Sequence, residues 1–353
     1  MEGRKPVMNY YELLQQETDE YRQAQPLVAD LISAFSAIKK SGISHTNKNP
    51  QLGYAKWLSC RLLGLKPRGS EVVKGAPLVD SAGRFYSVKT KIEKEGSKAR
   101  GVSVTKKGQL DFLVVVRLNW DNTFRSLWLV GVPPDLKEGK TFKFSFKDTH
   151  LVEKEVLPDQ ASGIEEADRV MRAYSSAAWK LVENEVTRLD DKVPADLGEF
   201  YAGQFFGLTL EDKINRPDYD ATDVEGRRYQ IKTRQETPLG DGSFQDCFGT
   251  YTSFNFANDK MIHEKTFDTL IGCFLDRQYE PIAFILAPYE VVRARILGSS
   301  GDQPRAGNIR YRWTYSKLNS RQDYTDAKVF ITRTHRKRYE PLRHLPNVDL
   351  TLF

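Results

Sequence analysis

The 353 residues are 40% hydrophobic and 28% charged with a formal net charge of +6, enough chain for two domains with their own cores and a mild bias toward a polyanionic partner. Five His and three Cys (Cys60, Cys247, Cys273) form no CxxC pair and no HExxH, so neither a structural zinc site nor a disulfide framework is expected from the sequence. No apolar run approaches the ~20 residues of a membrane span and no charged-then-apolar segment leads the chain, so a cytoplasmic location without a membrane partner is expected.

In chain order, Leu13, Leu14, Leu27, Val28, Leu31, Ile32, Phe35 and Ile38 recur mostly at three and four. This predicts an amphipathic helix, ended by Lys39-Lys40-Ser41-Gly42. A shorter helix is expected from Leu52 to Leu65. A hairpin then turns through Val79-Asp80-Ser81-Ala82-Gly83 into Arg84-Phe85-Tyr86-Ser87-Val88-Lys89-Thr90. A lysine-rich loop follows, and then two apolar strands, Asp111–Leu118 and Trp128–Val132, of the kind buried on both faces.

The same series then recurs. Ser162-Gly163-Ile164-Glu165 reads as a capping box opening a helix through Val170, Met171, Tyr174, Ala178, Leu181, Val182 and Leu189. A short helix from Leu197 to Leu208 leads to a second hairpin, Thr222-Asp223-Val224-Glu225-Gly226 turning into Arg227-Arg228-Tyr229-Gln230-Ile231-Lys232-Thr233, and to strands Asp268–Leu275 and Ile282–Ala287. The hairpin motifs lie 143 positions apart and the later strands 157 apart, so the second copy's loop from Gln235 to Phe267 is 14 residues longer. Its Phe244, Phe248, Tyr251, Phe254 and Phe256 either reach a nucleic-acid groove or cover a sheet edge. The expected fold is α/β: two tandem sandwiches, each with a central mixed sheet flanked by helices and followed by one. The division falls in Lys154–Ala161, giving domains 1–155 and 156–353.

The copies differ in chemistry. Residues two apart on a strand share a face, so Gln230 and Lys232 project together. If Asp220 lies on the partner strand, its carboxylate meets that pair as a hard oxygen ligand for Mg2+, or Mn2+ in its place, beside a cation able to orient water. Asp218 competes for this role, because Tyr219 between them lets only one face the lysine in an extended segment. Glu199 is either a second carboxylate or an acid favoured at a helix start. Asp223 recurs as Asp80 and reads as a turn former outside the site. By offset the first copy has Pro77 and Ser87 where the second has Asp220 and Gln230, and only Lys89 survives.

Gly198-Glu199, Pro217-Asp218-Tyr219-Asp220-Ala221 and Tyr229-Gln230-Ile231-Lys232-Thr233-Arg234 resemble the PD-(D/E)xK restriction-endonuclease-like superfamily, with Gln230 replacing its usual second acidic residue as in the Mrr-like branch. The resemblance spans roughly Leu197 to Ala287. It implies two restriction-endonuclease-like sandwiches, the second catalytic and the first a degenerate copy used for DNA binding or dimerisation. It further implies that Asp220 binds the metal, that Gln230 and the Ile231 carbonyl support it, that Lys232 positions the nucleophilic water, and that Glu199 assists. The implied activity is Mg2+-dependent cleavage of double-stranded DNA, of restriction or phage-defence type, by a homodimer without a small-molecule cofactor. Expected DNA contacts are Arg234, the loop cluster Lys91, Lys94, Lys98, Arg100, Lys106 and Lys107, and the C-terminal Arg336, Lys337 and Arg338. The alternatives are a non-catalytic nucleic-acid-binding protein on two such scaffolds, and action on RNA.

Overall fold

Leu113–Val116 and Leu270–Leu275 are shut off from solvent, and each run forms a middle strand of its own sheet. The computed structural model describes residues 18–44, 49–68, 76–93, 101–189, 193–211, 219–238, 244–245, 252–256, 264–299, 309–313, 327–340, 343 and 348–352. The architecture is mixed α/β in two units, one comprising Asp30–Ala178 and the other Met1–Ala29 with Trp179–Phe353. The 154–161 segment lies inside the first of these. Among the described residues no helix is long and apolar enough to cross a membrane.

The Asp30–Ala178 unit contains the end of α1 (Asp19–Lys40), α2 (Pro50–Leu63), strands β1 (Lys66–Pro67), β2 (Leu78–Val79), β3 (Phe85–Glu93), β4 (Gly101–Thr105), β5 (Phe112–Asn119), β6 (Phe124–Gly131), β7 (Thr141–Ser145) and β8 (Val152–Val156), and the start of α3 (Glu165–Glu183). Its sheet runs β1-β2-β3-β5-β6-β8, antiparallel except for β3 with β5, while β4 and β7 form a separate ribbon. Phe35 of α1 packs on Tyr174 of α3, ring centres 5.0 Å apart.

In the other unit come α4 (Val193–Phe206), β9 (Thr209–Leu210), β10 (Ala221–Thr222), β11 (Arg228–Gln235), β12 (Thr237–Pro238), β13 (Phe244–Gln245), β14 (Thr252–Phe256), β15 (Thr269–Leu275), β16 (Pro281–Pro288), α5 (Tyr289–Ser299), β17 (Ile309–Trp313), β18 (Lys328–Thr332), α6 (Arg336–Tyr339) and β19 (Val348–Leu352). The sheet runs β19-β18-β16-β15-β11-β10-β9, with β11/β15 and β18/β19 parallel. Two ribbons stand apart, β12 with β13 and β14 with β17. Tyr21 at the start of α1 packs on Tyr201 and Phe205 of α4.

The two sheets share one register. Leu78 pairs with Tyr86 and Ala221 with Tyr229; Tyr86 pairs with Phe112 and Tyr229 with Thr269; the strand bulges fall at Arg117/Leu118 and Phe274/Leu275. The turn chemistry repeats as well. Asp80 Oδ1 accepts from Ala82 N and Arg84 N, and its Oδ2 from Arg84 Nε and the Tyr86 hydroxyl. Asp223 accepts from Glu225 N, Arg227 N, Arg227 Nε and the Tyr229 hydroxyl in the same way. Asp111 and Asp268 each receive the N–H of the first residue of the strand beside them, Phe85 and Arg228.

Some expectations are corrected. Helix α3 stops at Glu183, because Glu185 adopts a positive φ of 59° and Val186 N donates back to Leu181 O at 2.9 Å; Leu189 therefore lies outside it. Its first bond runs from Asp168 N to Ile164 O, so Ile164 rather than Ser162 stands at the cap. Strands β3 and β11 continue beyond Lys-Thr to Glu93 and Gln235. A helix follows the second central hairpin but not the first, where Pro133-Pro134 removes two backbone donors. In the long loop, Phe248 and Tyr251 lie outside the described residues.

The turn aspartates give the fold an acid limit. Burial pushes the Asp80 carboxyl up, but hydrogen bonds from the Arg84 backbone, the Tyr86 hydroxyl and the Arg84 guanidinium outweigh it and hold the group at about 2. For Asp223 the same balance of burial against Arg227, Tyr229 and Glu225 also ends below the usual range. A depressed folded-state value contributes stability above the ordinary carboxylate range near ~3.9, lost as pH falls through the folded value. Asp223→Asn should lower stability at pH 7 by on the order of 2 kcal/mol, and both Asp223→Asn and Asp80→Asn should flatten the fall in stability from about pH 4 toward 2. Urea unfolding followed across that range checks both outcomes.

Candidate active site

The site is built on the first half of β11, where a short neighbour gives out. β10 pairs only with Arg228 and Tyr229, and the chain just before it continues that edge through Asp220, whose N–H donates to Tyr229 O at 2.7 Å. Asp220 is thereby fixed beside Gln230 and Ile231. Ile231 N donates to Asp220 Oδ2 at 2.6 Å, and Gln230 Nε2 donates to the same oxygen. Two donors saturate one side of the carboxylate. Asp220 Oδ1 and Gln230 Oε1 make no hydrogen bond among the described residues. Since a strand residue's N–H and C=O point to the same edge, the Ile231 carbonyl also faces the side where β10 has ended.

The charges around Asp220 have two sources. Burial pushes its carboxyl up, and the charges of Lys232 and Arg188 oppose that, with the Ile231 and Gln230 hydrogen bonds. Lys232 is the expected cation, two residues beyond Gln230 on the same face. Arg188 is the residue the sequence pattern missed. Its Nη2 bonds Glu199 Oε2, its Nη1 donates to Glu211 O at 3.1 Å, and its backbone N donates to Asp196 Oδ2 at 2.7 Å. Glu199 therefore joins the site through Arg188, whose charge also reaches Asp220. No motif marks Arg188: it sits in the turn between α3 and α4, far from the hairpin in sequence.

Other expected residues fall as follows. Asp218, Lys94, Lys98 and Arg100 lie outside the described residues. Lys91 continues β3, and Lys106 and Lys107 occupy the turn after β4. Arg234 lies on β11, half-buried. Of the C-terminal group, Arg338 is committed to the buried Glu236 at 2.7 Å and Arg336 stands 3.7 Å from Glu340, while Lys337 is exposed. In the Asp30–Ala178 unit, Leu78 pairs with Tyr86 as Ala221 pairs with Tyr229, so Pro77 and Ser87 stand where Asp220 and Gln230 do, and by sequence offset Lys56 corresponds to Glu199.

Close approach of α4 to β11 brings Glu199 to this edge. A Cβ on Gly198 would stand 1.9 Å from Thr233 Oγ1 and 2.8 Å from Thr233 Cβ, so only glycine lets the helix settle there. Gly198→Ala should destabilise by about 1–3 kcal/mol through overpacking. Gly203→Ala, whose new Cβ meets nothing nearer than 3.5 Å, should be neutral or stabilising by up to ~1 kcal/mol through helix propensity. Denaturant titration of the two variants checks the contrast. No protein-family profile and no curated protein sequence matches the chain.

Proposed function

We propose that the chain is a divalent-metal-dependent DNA endonuclease of the PD-(D/E)xK type, hydrolysing phosphodiester bonds at Asp220, Gln230 and Lys232. The observation that carries this reading is the half-saturated carboxylate of Asp220: one oxygen is held by Ile231 N and Gln230 Nε2, the other makes no hydrogen bond among the described residues, and the charges of Lys232 and Arg188 act on the group. Oxygen donors in this number fit Mg2+, which takes one or two protein carboxylates and completes its shell with water and phosphate oxygens. Asp220 Oδ1, Gln230 Oε1 and the Ile231 carbonyl would hold it. When bound, the ion supplies Lewis-acid polarisation of the scissile phosphate.

The chain's own residues supply the rest. Lys232 orients the attacking water and its charge offsets negative charge gathering on the phosphorus oxygens. Arg188 holds Glu199 in place and adds positive potential toward a polyanionic substrate. Matching registers and turn networks support an internal duplication, in which the Asp30–Ala178 unit kept the scaffold and gave up the ligands. Its role is then recognition of duplex DNA or pairing of two chains. Since each chain carries one intact site, cutting both strands calls for a homodimer or two encounters.

Purified protein with Mg2+ should nick or linearise supercoiled plasmid, tested with both methylated and unmodified DNA. Asp220→Ala and Lys232→Ala should each lower the rate by on the order of 10²-fold or more while the melting profile and DNA binding persist. Wild-type protein that binds DNA but never cuts it with Mg2+ or Mn2+ would leave a non-catalytic binder as the reading.

A further inference from the structure

At the far end of β11 and β15 from Asp220 lies a second group of ligating atoms, formed by Asp276, Glu280 and His335. One atom from each lies within 4.8 Å of the others. Asp276 occupies the turn that leaves β15 and is only 8% exposed. Its Oδ1 is fixed by the N–H groups of Gln278 and Glu280 at 2.7 and 2.9 Å. Its Oδ2 makes no hydrogen bond and faces His335 Nε2 across 3.6 Å, too far for a hydrogen bond. That imidazole nitrogen is itself buried without a hydrogen-bond partner, and the Glu280 carboxylate makes none among the described residues.

Two ligand atoms bound to one ion at ~2.0–2.2 Å stand roughly 3.0–3.4 Å apart. The Asp276–His335 separation of 3.6 Å is therefore close to the coordinating distance, and all three ligand atoms lie within 4.8 Å of one another. The elements that carry them are rigid. His335 follows β18, and β18 is locked to β16 by pairing of Ala283 with Ile331 and by the Thr332 hydroxyl donating to Pro281 O at 2.7 Å.

Charge balance points the same way. Glu236 lies close enough to act on Asp276, but Arg338 already neutralises it. Asp276 and Glu280 then bring two carboxylates against at most one imidazolium. The fully buried Tyr201 hydroxyl, within electrostatic reach of both carboxylates, also lacks a hydrogen-bond partner. Two buried polar atoms without partners beside two carboxylates need an explanation, and a bound ion is one that accounts for the imidazole and the carboxylates together.

We propose that Asp276, Glu280 and His335 bind a first-row divalent metal ion, Zn2+ in the first instance, as a structural pin joining the turn after β15 to the turn after β18. The mixed set of one imidazole and two carboxylates suits a borderline ion better than Mg2+. This site is separate from Asp220 and does not depend on the nuclease reading.

The test uses the full-length chain, stripped with chelator and titrated with Zn2+ alone, reading bound metal and the melting temperature. Asp220→Ala, which lacks the other proposed ion site, should bind one equivalent, and with free Zn2+ about 100-fold above Kd its melting temperature, like that of wild-type protein, should rise by ~5–10 °C. His335→Ala and Glu280→Gln, each combined with Asp220→Ala, should lose both the equivalent and the rise; if one of them does not fold, the other decides. No Zn2+-dependent shift in wild-type protein, a shift kept in the folded ligand variants, or a shift removed by Asp220→Ala would overturn the proposal.

Discussion

Everything in the candidate active site depends on the pair of hydrogen bonds that converge on Asp220 Oδ2. Donation from Ile231 N pins the carboxylate to the backbone of β11, so its position follows from strand register and not from a side-chain rotamer. Donation from Gln230 fixes its rotation. A shift of one residue in the β10–β11 pairing would turn Gln230 and Lys232 to the opposite face and dissolve the set. The turn network around Asp223 guards against such a shift. Its four accepted hydrogen bonds tie the reversal to the first residues of β11.

Comparison of the two units separates framework from chemistry. Asp80 and Asp223, Arg84 and Arg227, Tyr86 and Tyr229, and Asp111 and Asp268 occupy equivalent places and make equivalent bonds. These are polar residues whose partners are backbone N–H groups and each other, and they serve strand entry in both sheets. The residues that differ, Pro77 for Asp220, Ser87 for Gln230 and Lys56 for Glu199, contribute nothing to that network. A partly buried carboxylate beside a half-used amide gains nothing for the fold by itself, and the unit without them has the same register.

Much of this was legible in the sequence because it is periodic or local. The hairpin turns, the doubly buried strands β5 and β15 and the pairing of Gln230 with Lys232 follow from two-residue alternation and from turn residues at fixed offsets. Helix limits were less legible: α3 ends where Glu185 takes a left-handed conformation, which no pattern of apolar residues announces. Arg188 and the Asp276, Glu280 and His335 group were not legible at all. They are assembled by tertiary approach of segments separated by tens of residues, and each residue alone reads as a solvated surface charge.

Arg188 shows why such a residue matters to the chemistry. Lys232 and Arg188 reach Asp220 from different elements, one along the strand and the other from the turn between two helices. Because Arg188 is bonded to Glu199, to the Glu211 carbonyl and, through its backbone, to Asp196, its charge is held by three anchors that do not include Asp220, Gln230 or Ile231. The positive potential at the site therefore does not wait on the arrangement of Asp220 itself. On the proposed nuclease reading, a preorganised field of this sort would cost no reorganisation on arrival of a phosphate, the condition under which charges held out of bulk water are most effective at stabilising a transition state.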